Sequence, residues 1–397
     1  MKKILLKNTN LIDVKGKTVI KNTDILMDDG LIAKIGQNVQ ISDAEIVDCT
    51  GKYVCPGVID THVHLTWDGS SDPVGLDTRE GKYVALIRGL KNAQASLKKG
   101  VTTVRDTGSM GSVIIELAYA INKGIFQGCT VIPCGAAIQS VYGHVPAIGI
   151  IADSDSELIK EIRHMKILLT EKAIRCQWIK IMATGGAAGL EEVGPSMYSL
   201  QQLQLIVEEA HRLHMKVAAH AVSSEGIINC IKAGIDTIEH GADIPEEYLH
   251  MMKEKNLTLI PTLAIYAILA KSSGIVPDLV VQKSKVVTEK QKTTFANALK
   301  IGVRVGLGTD SGSPNFGPQP AAYKEMLVMQ DYGMSKEDVI KCSTITAAEI
   351  LGLEKQIGSI EEQKNADILV LGSNPYDDLN RFSDLISVYK NGVLIEL

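Results

Sequence analysis

Aromatic residues are scarce in this sequence of 397 residues, where Phe, Tyr and Trp together make up 4%. A hydrophobic content of 45% still supplies a large core, which must be built mainly from Ile, Leu, Val and Ala. Long hydrophobic runs are also missing, since no apolar stretch reaches the roughly 18 residues typical of a membrane-spanning helix. The charged fraction of 22% excludes a disordered or collagen-like chain.

The sequence also lacks paired cysteine motifs and an excess of positive charge. Its seven Cys residues are odd in number and form no C-x-x-C motif, which argues against a disulfide framework and against a thiolate metal site. With 41 basic and 46 acidic residues the net charge is −5, and no basic stripe typical of nucleic-acid binding is present. We therefore expect a small-molecule substrate as partner, with no nucleic acid and no membrane.

A signal peptide is not indicated at the start of the sequence. The apolar start Ile4-Leu5-Leu6 turns polar at Lys7-Asn8-Thr9-Asn10, so the apolar stretch is too short for the core of a signal peptide. We therefore expect a cytoplasmic protein whose cysteines are reduced and buried.

Short apolar runs separated by turn residues occur at both ends of the chain. They fall within residues 1–56 and 346–397, and Asn391-Gly392 is a predicted hairpin turn in the second segment. Neither segment is long enough to bury a core alone. We therefore expect the two segments to pair in one small β-sandwich domain formed by both chain termini.

Residues 57–345 alternate short apolar strands with amphipathic helices. The predicted strand segments are residues 58–60, 102–105, 130–133, 178–181, 216–219, 237–239, 258–261 and 305–308. One amphipathic helix is predicted over 78–99, and another begins at Ser199 with a capping box to Gln202. The apolar face of the first helix consists of Val84, Ile87, Leu90, Ala93 and Leu97. Eight strand–helix units in about 290 residues predict an α/β fold, a (β/α)8 TIM barrel that forms the second domain.

Six residues with metal-binding side chains fall at or near predicted strand ends. They are His62, His64, Lys180, His220, His240 and Asp310. Taken singly, each is more simply a hydrogen-bonded residue at a strand end, and Lys180 a lysine that extends to solvent. Together they come from five strands and meet at the carboxyl ends of the strands, the face where TIM barrels place their active sites. Imidazole and carboxylate ligands without thiolates favour Zn²⁺, with Mn, Co, Ni and Fe as alternatives.

The local spacing of these residues adds to the prediction. His62 and His64 are two positions apart, so both side chains point to the same side of the first strand. Lys180 lies in an otherwise apolar strand, and burial lowers the pKa of a lysine. A neutral amine at this position can react with CO2 to give a carbamate, which is an anionic ligand with two oxygens.

These residues lie in segments that resemble the amidohydrolase superfamily over nearly the whole chain. The matching segments are 55–64, 180–186, 218–221, 237–241 and 308–312. The resemblance implies a barrel with a β-sandwich built from both termini, and two divalent metal ions, most simply Zn²⁺. In that family one ion is held by residues matching His62, His64 and Asp310, the second by those matching His220 and His240, and a carboxylated lysine matching Lys180 bridges both. It further implies that Asp106, at the second strand, supports the site.

Within the superfamily the sequence looks most like the imidazolonepropionase-related branch, which includes Xaa-Pro dipeptidases and Zn-dependent carboxypeptidases. Tyr142-Gly143-His144 follows the third strand, where those peptidases have Gly-Gly-His, and Tyr266 follows the seventh. The resemblance implies that His144 and Tyr266 bind the α-carboxylate of the substrate; the simpler alternative is a loop histidine and a packing tyrosine. The segment after Asp310 lacks the His and acidic residues of several carboxypeptidases, so the side-chain specificity stays open. Relatives are often homo-oligomers, and we expect a homo-oligomer here.

The predicted function is hydrolysis of an amide or peptide bond next to a C-terminal carboxylate, as in a dipeptidase, a carboxypeptidase or an N-acyl amino acid hydrolase. A metal-bound hydroxide would attack the bond, with Asp310 as general base and Lys180 as the bridging ligand. One alternative is a cyclic amidase such as an imidazolonepropionase-like hydrolase, or a deaminase, although deaminases of this superfamily usually lack the lysine. The other is a non-catalytic scaffold, which the complete ligand set disfavours.

Overall fold

The computed structural model describes residues 3–189, 191–317, 319 and 322–397, and for Ala147 the backbone alone. Its strands are β1 (Lys3–Asp13), β2 (Thr18–Asp28), β3 (Leu31–Gly36), β4 (Ala44–Asp48), β5 (Tyr53–Pro56), β6 (Val58–Val63), β7 (Val101–Asp106), β8 (Thr130–Pro133), β9 (Ala137–Gln139), β10 (Gly149–Ile151), β11 (Trp178–Met182), β12 (Lys216–Ala221), β13 (Thr237–His240), β14 (Thr258–Ile260), β15 (Arg304–Val305), β16 (Ile368–Leu371), β17 (Leu385–Lys390) and β18 (Val393–Ile395).

The helices lie mainly between the strands of the middle region. They are α1 (Pro73–Glu80), α2 (Lys82–Lys98), α3 (Val113–Asn122), α4 (Asp155–Glu171), α5 (Leu200–Arg212), α6 (Ser224–Ala233), α7 (Glu246–Glu254), α8 (Leu263–Leu269), α9 (Asp278–Ile301), α10 (Tyr323–Asp331), α11 (Lys336–Cys342) and α12 (Ile345–Leu351). Short 3₁₀ helices cover Pro146–Ile148 and Leu379–Ser383. Among the described residues, no helix combines the length and the apolar character needed to cross a membrane.

The chain divides into two compact units. One contains Met1–Asp60, Gln94–Thr103 and Ala321–Leu397, and the other contains Thr61–Ala93 and Val104–Pro320. All the residues predicted to bind metal or substrate belong to the second unit. The site can therefore be described within that unit.

The first unit contains an eight-stranded mixed sheet built from both ends of the chain. Its strands run in the order β18-β17-β16-β5-β1-β2-β3, and β4 pairs with the first part of β1. β1 is antiparallel to β2 and parallel to β4 and β5, while β16 is antiparallel to β5. Leu6, Ile25 and Val54 pack in one apolar cluster with Ile368 and Val370. Both terminal segments therefore contribute to one sheet and one core.

The middle of the chain contains parallel strands that alternate with helices. β6, β7 and β8 form a three-stranded sheet, and a seven-stranded sheet has the order β10-β9-β11-β12-β13-β14-β15. The strands from β11 to β15 are parallel and follow chain order. A strand is present in each of the eight predicted segments, although β15 is only two residues long. The α/β class is therefore confirmed.

Backbone hydrogen bonds connect the segment after β15 to the end of β6. The amide of Thr61 donates to the carbonyl of Leu307 (2.9 Å), and the amide of Asp310 donates to the carbonyl of His62 (2.7 Å). The amide of His64 donates to the carbonyl of Ser311 (2.9 Å). These bonds place Asp310 beside both histidines of the first predicted ligand pair.

The third strand is interrupted, which the sequence did not predict. β8 ends at Pro133, and the chain continues as β9 from Ala137 after Gly135, whose φ is +74°. β9 pairs with β11 on one side and with β10 on the other. The segment after β9 reaches the candidate site, as described below.

The helix predicted over 78–99 begins at Lys82, because Gly81, with φ +78°, ends the preceding helix α1. Of the predicted face, Ala93 and Leu97 are buried, but Val84 and Ile87 are 43% and 66% exposed, so the prediction is wrong for the first part of the helix. There the buried positions of α2 are the small residues Ala85 and Gly89. A Cβ on Gly89 would meet a methyl group of Leu117 at 2.5 Å. Close packing against α3 therefore requires small residues at this part of α2.

Candidate metal centre and active-site pocket

The six residues predicted as metal ligands line one cavity of about 490 Å³. They are His62 in β6, His64 just after it, Lys180 in β11, His220 in β12, His240 at the end of β13, and Asp310 after β15. The register of the parallel strands sets these residues side by side, because Met182 is paired with His220 and Ala221 with His240. All six are buried, and the most exposed of them is Asp310 at 9%.

Three of these residues form a compact group of possible metal ligands. Donor atoms of His62, His240 and Asp310 all lie within 4.8 Å of one another. Oδ1 of Asp310 lies 3.6 Å from Nε2 of His62 and 3.4 Å from Nε2 of His64. The rings of His220 and His240 are 4.6 Å apart between centroids. The structure thus brings all four histidines and the aspartate together in one part of the cavity.

Three candidate ligands, His62, His64 and His240, are hydrogen-bonded through Nδ1, whereas Nε2 of His220 lies 3.1 Å from the carbonyl oxygen of Gly185. Nδ1 of His62 lies 2.6 Å from Oε2 of Glu239, and Nδ1 of His64 lies 2.9 Å from the carbonyl oxygen of Gly108. Nδ1 of His240 lies 2.7 Å from Oγ1 of Thr262. A carboxylate or carbonyl acceptor fixes the proton on Nδ1, so that Nε2 carries the lone pair. Histidines held in this way, together with a carboxylate, fit a divalent metal ion.

Burial disfavours the charged form of the basic groups of the site by lowering their pKa. It lowers the pKa of His62, His220 and His240 well below the ordinary 6.5, and the neighbouring basic groups lower it further. Burial also lowers the pKa of Lys180. Neutral imidazoles are the form that binds metal, and a neutral amine is the form that reacts with CO2.

The ion pair between Glu239 and Arg105 holds His62 in place through the carboxylate of Glu239. Nη2 of Arg105 donates to Oε1 of Glu239 (2.7 Å), and Nε donates to the carbonyl of Thr61 (2.6 Å). The guanidinium lies 4.4 Å from the ring centroid of Trp178, and both charged side chains are completely buried. No role was predicted for Arg105 or Glu239, since their contact joins positions 134 residues apart.

Asp106 and Ser313 fix the polypeptide around the ligands. Oδ2 of Asp106 accepts from the amide of Leu65 (2.7 Å), and Oδ1 accepts from the amide of Gly108 (3.0 Å). Burial raises the pKa of Asp106 to about 7. Oγ of Ser313 donates to Oδ1 of Asp310 (2.9 Å), which fixes the orientation of that carboxylate. Ser313 was missed by the sequence analysis, although it lies three positions after a predicted ligand.

His144 and Tyr266 line the same cavity. The ring of His144 is stacked on His220, with 4.5 Å between centroids, and its Nδ1 lies 2.5 Å from Oε1 of Glu191. Tyr266 meets His240 edge-on at 5.5 Å between centroids. Burial and the charge of Asp310 raise the pKa of Tyr266 well above its ordinary value, so that its hydroxyl keeps its proton. Tyr266 therefore offers an O–H group near the candidate metal centre, while Nδ1 of His144 is already hydrogen-bonded to Glu191.

Four residues of the site have a left-handed backbone that non-glycine residues rarely adopt. Their φ angles are +53° at Val145, +71° at His240, +44° at Thr262 and +60° at Asp310. Such conformations cost free energy and persist where the surrounding structure enforces them, which is typical of functional sites. At His240 and Asp310 the strained residue is itself a candidate ligand.

The rest of the cavity wall is mainly apolar. Its apolar side chains include Trp67, Val74, Val145, Ile148 and Met182. All five pack in one cluster with Ala137, and the ring of Trp67 is stacked on His64 at 4.0 Å between centroids. This apolar cluster can hold an apolar part of a substrate beside the candidate ligands.

Known proteins resemble this chain over most of its length. The amidohydrolase family profile matches residues 53–395. Ochratoxinase of Aspergillus niger is 27% identical over 415 aligned residues, which cover 95% of this chain and 83% of the relative. Imidazolonepropionase of Picrophilus torridus is 22% identical over 413 aligned residues, which cover 95% and 93%.

A solved structure agrees with this relationship. The structure of a Xaa-Pro dipeptidase with methionine bound in its active site has a TM-score of 0.89 to this chain at 28% identity, with 100% of both chains covered. The resemblance predicted from the sequence motifs is therefore confirmed. Because the family profile covers most of the chain, this protein belongs to the amidohydrolase family and is a hydrolase that acts on carbon–nitrogen bonds.

Proposed function

We propose that this protein is a binuclear metal-dependent hydrolase that cleaves an amide or peptide bond next to a C-terminal carboxylate. The observation that carries this proposal is that all six candidate ligands line one cavity, within which donor atoms of His62, His240 and Asp310 lie within 4.8 Å of one another. Ochratoxinase and the Xaa-Pro dipeptidase support amide chemistry, and the latter holds an amino acid in its active site. The substrate would be a dipeptide, a peptide C-terminus or an N-acyl amino acid.

The proposed ligand set uses all six residues. Residues His62, His64 and Asp310 would hold one divalent ion, and His220 and His240 the second. Lys180, as a carbamate, would lie between them. Its lowered pKa supports this role, because the free amine adds to CO2 with loss of one proton. Nitrogen and oxygen ligands without thiolates suit Zn²⁺.

In the proposed hydrolysis the residues of the cavity have separate roles. The bound ions supply acidity to a water molecule and polarise the substrate carbonyl. Asp310 accepts the proton of the attacking water and later passes it to the leaving amine, and Ser313 keeps its carboxylate oriented. Tyr266 would donate a hydrogen bond to the substrate carboxylate, which needs donors inside a cavity shielded from water. His144 would donate a second one from Nε2 when both of its ring nitrogens carry a proton, because Nδ1 is hydrogen-bonded to Glu191.

We also propose the architecture that the sequence predicts. The parallel sheets of residues 57–345 would close into one (β/α)8 barrel, and residues 1–56 and 346–397 would form the β-sandwich. The hydrogen bonds between residues 61–64 and 307–311 support closure, because they join the two parallel sheets through β6. A cytoplasmic homo-oligomer completes the proposal.

A cyclic amidase is the second candidate function. It is favoured by the similarity to imidazolonepropionase of Picrophilus torridus over 95% of this chain. The same ligands would serve that reaction, but His144 and Tyr266 would then have no carboxylate to bind. A deaminase or a non-catalytic scaffold has less support, since Lys180 and the whole ligand set are present in one cavity.

The first experiment is hydrolysis of a pooled library of dipeptides and N-acyl amino acids, followed by mass spectrometry. The Zn-loaded protein is compared with a chelator-treated sample and with Asp310→Asn, which should lose at least about 100-fold of the activity while keeping its fold. Metal-dependent cleavage restricted to certain C-terminal residues would support the proposal. Near-normal activity of Asp310→Asn would overturn its role as general base, and no cleavage by wild type would favour the cyclic amidase.

A further inference from the structure

The loop between β11 and α5 lines the candidate site. Its base is closed by a backbone bridge between Thr184 and Ser196, and the amide of Met197 donates to the carbonyl of Ala183 (2.8 Å). We call residues 186–194 the active-site loop; Leu190 lies outside the described residues. The loop contributes Ala187, Ala188, Gly189 and Glu191 to the cavity wall.

Lys283 of helix α9 binds the backbone of the active-site loop at three points. Its Nζ donates to the carbonyl oxygens of Glu191 (2.6 Å), Gly189 (2.7 Å) and Gly186 (3.4 Å). An ammonium group has three N–H donors and no acceptor, so three converging carbonyls match it fully. Hydrogen bonds with a charged donor are stronger than neutral ones, so this contact is well suited to fix a loop.

Glu191 transmits the position of the loop to His144. Its Oε1 lies 2.5 Å from Nδ1 of His144 and accepts from the amide of Gly186 (3.0 Å). Gly186 allows the loop to approach the imidazole closely, since a Cβ at that position would collide with the ring of His144. The other face of His144 is set by its stacking on His220.

We propose that Lys283 is a positioning residue that fixes the active-site loop, so that Glu191 holds His144 in place to bind the substrate carboxylate. This inference rests on the role given to His144 in the proposed function. Without Lys283 the loop carbonyls lose their shared donor, and Glu191 no longer has a fixed position. The effect should fall on substrate binding, because Asp310 is oriented by Ser313 and by residues of β6, outside the loop.

The first test follows the loop without any substrate. Lys283→Met removes the donors and keeps much of the side-chain length, Lys283→Arg keeps a charged donor, and Lys290→Met is the control. Lys290 lies on the same helix and pairs with Asp243 (2.7 Å) instead of the loop. Hydrogen–deuterium exchange of peptides covering residues 186–194 should become about tenfold faster in Lys283→Met and stay near wild type in the other two variants.

A second substrate-free readout reports on His144. Diethyl pyrocarbonate modifies accessible imidazoles, and peptide mass spectrometry gives the rate for each histidine. His144 is 8% exposed and hydrogen-bonded to Glu191, so its modification should be slow in wild type. Lys283→Met and Glu191→Gln should both accelerate it, while Lys290→Met should not.

The kinetic test uses the dipeptide or N-acyl amino acid that wild type cleaves best in the pool. Lys283→Met should raise KM about tenfold and leave kcat within about twofold. The expected rise in KM corresponds to a weakened hydrogen bond between His144 and the substrate carboxylate. Lys283→Arg should recover most of the KM. The double variant Lys283→Met/Glu191→Gln should have a KM close to that of the worse single variant, because both changes act on one path.

The outcomes separate this inference from the proposed function. Unchanged exchange of residues 186–194 in Lys283→Met would overturn the inference. So would a fall in kcat with unchanged KM, or a loss of bound zinc measured by mass spectrometry, since either would mean that Lys283 supports the metal centre. If wild type cleaves nothing in the pool, the proposed function fails, and the exchange and modification rates still decide whether Lys283 fixes the loop and His144.

Discussion

His62 is held by a chain of two buried charges, Glu239 and Arg105. A buried ion pair gains little free energy from its attraction alone, because both charges lose their hydration. The effect of this ion pair is to orient His62, since Glu239 fixes both the direction of the ring and the nitrogen that carries the proton. The two oxygens of Glu239 are shared, Oε2 with His62 and Oε1 with Arg105 and Thr237.

Glu239→Gln should weaken metal binding about 10- to 100-fold, because an amide does not hold the proton on Nδ1 of His62 as firmly as a carboxylate does. The measurement is a zinc titration against a competing chelator, made on protein whose circular dichroism matches wild type. Glu254→Gln, a change of an exposed residue on α7, is the control. Equal zinc affinity in Glu239→Gln and wild type would contradict the orienting role of Glu239.

Lys180→Ala should lose bound metal, since the variant has neither an amine nor the carbamate proposed to form on it. Addition of a short-chain carboxylic acid such as acetate or propionate should restore part of the metal content and activity, because its oxygens can occupy the space of the carbamate. Both are measured before and after dialysis against the acid. Unchanged metal content in Lys180→Ala would count against the carbamate, and Lys232→Ala serves as a surface control.

At the scale of helices and strands, local signals were sufficient where neighbours in sequence decide the structure. The capping box at Ser199 and Gln202 is present, and Asn391 and Gly392, with φ +46° and +72°, turn the chain between β17 and β18 as predicted. The outward orientation of Ile87 on α2 was not predicted, because the tight contact made by Gly89 depends on a distant helix.

The candidate site shows the same difference between residues that local sequence signals identify and residues that depend on distant contacts. Its candidate ligands could be found because each lies in or soon after a predicted strand, and the carboxyl ends of parallel strands meet at one edge. Glu191 and Lys283 could not, since the bonds of Lys283 span 92 to 97 positions in the chain and join a helix to a loop without regular structure. Ser313 was missed because a single serine carries no recognisable pattern of its own.

The contact between helix α5 and the segment before β13 should depend on pH. Nε2 of His211 lies 2.8 Å from Oδ2 of Asp236, and this hydrogen bond raises the pKa of His211 above the ordinary 6.5. The folded state thus prefers the protonated ring, so the stabilisation is fully present below pH 6.5 and is lost as the pH rises through the raised pKa.

His211→Gln should therefore lower the thermal unfolding midpoint more at pH 5.5 than at pH 9. The check is differential scanning calorimetry of wild type and variant at both pH values and one scan rate. His250→Gln is the control, because its exposed ring reaches Glu246 only at 4.0 Å. An equal change of the midpoint at both pH values would show that protonation of His211 does not stabilise the fold.

At the scale of the whole molecule, the cavity wall limits what the enzyme can accept. The apolar cluster of Trp67, Val74, Ile148 and Met182 lines the cavity. A carboxylate buried against this cluster would lose hydration without gaining a partner. Among N-acyl derivatives of one amino acid, the butanoyl compound should therefore have a kcat/KM at least about tenfold above that of the succinyl compound. The two differ only in the terminal group, and equal values would show that the acyl chain does not contact this wall.

The proposed metal centre also constrains when metal can be taken up during synthesis. His62 relies on Glu239, which is 177 positions further along the chain, and Asp310 is later still. A nascent chain on the ribosome therefore cannot assemble this coordination sphere while its later strands are unmade. Unlike a zinc finger, whose few neighbouring ligands let the ion drive folding, this protein would have to bring distant strands together before the proposed centre could bind metal.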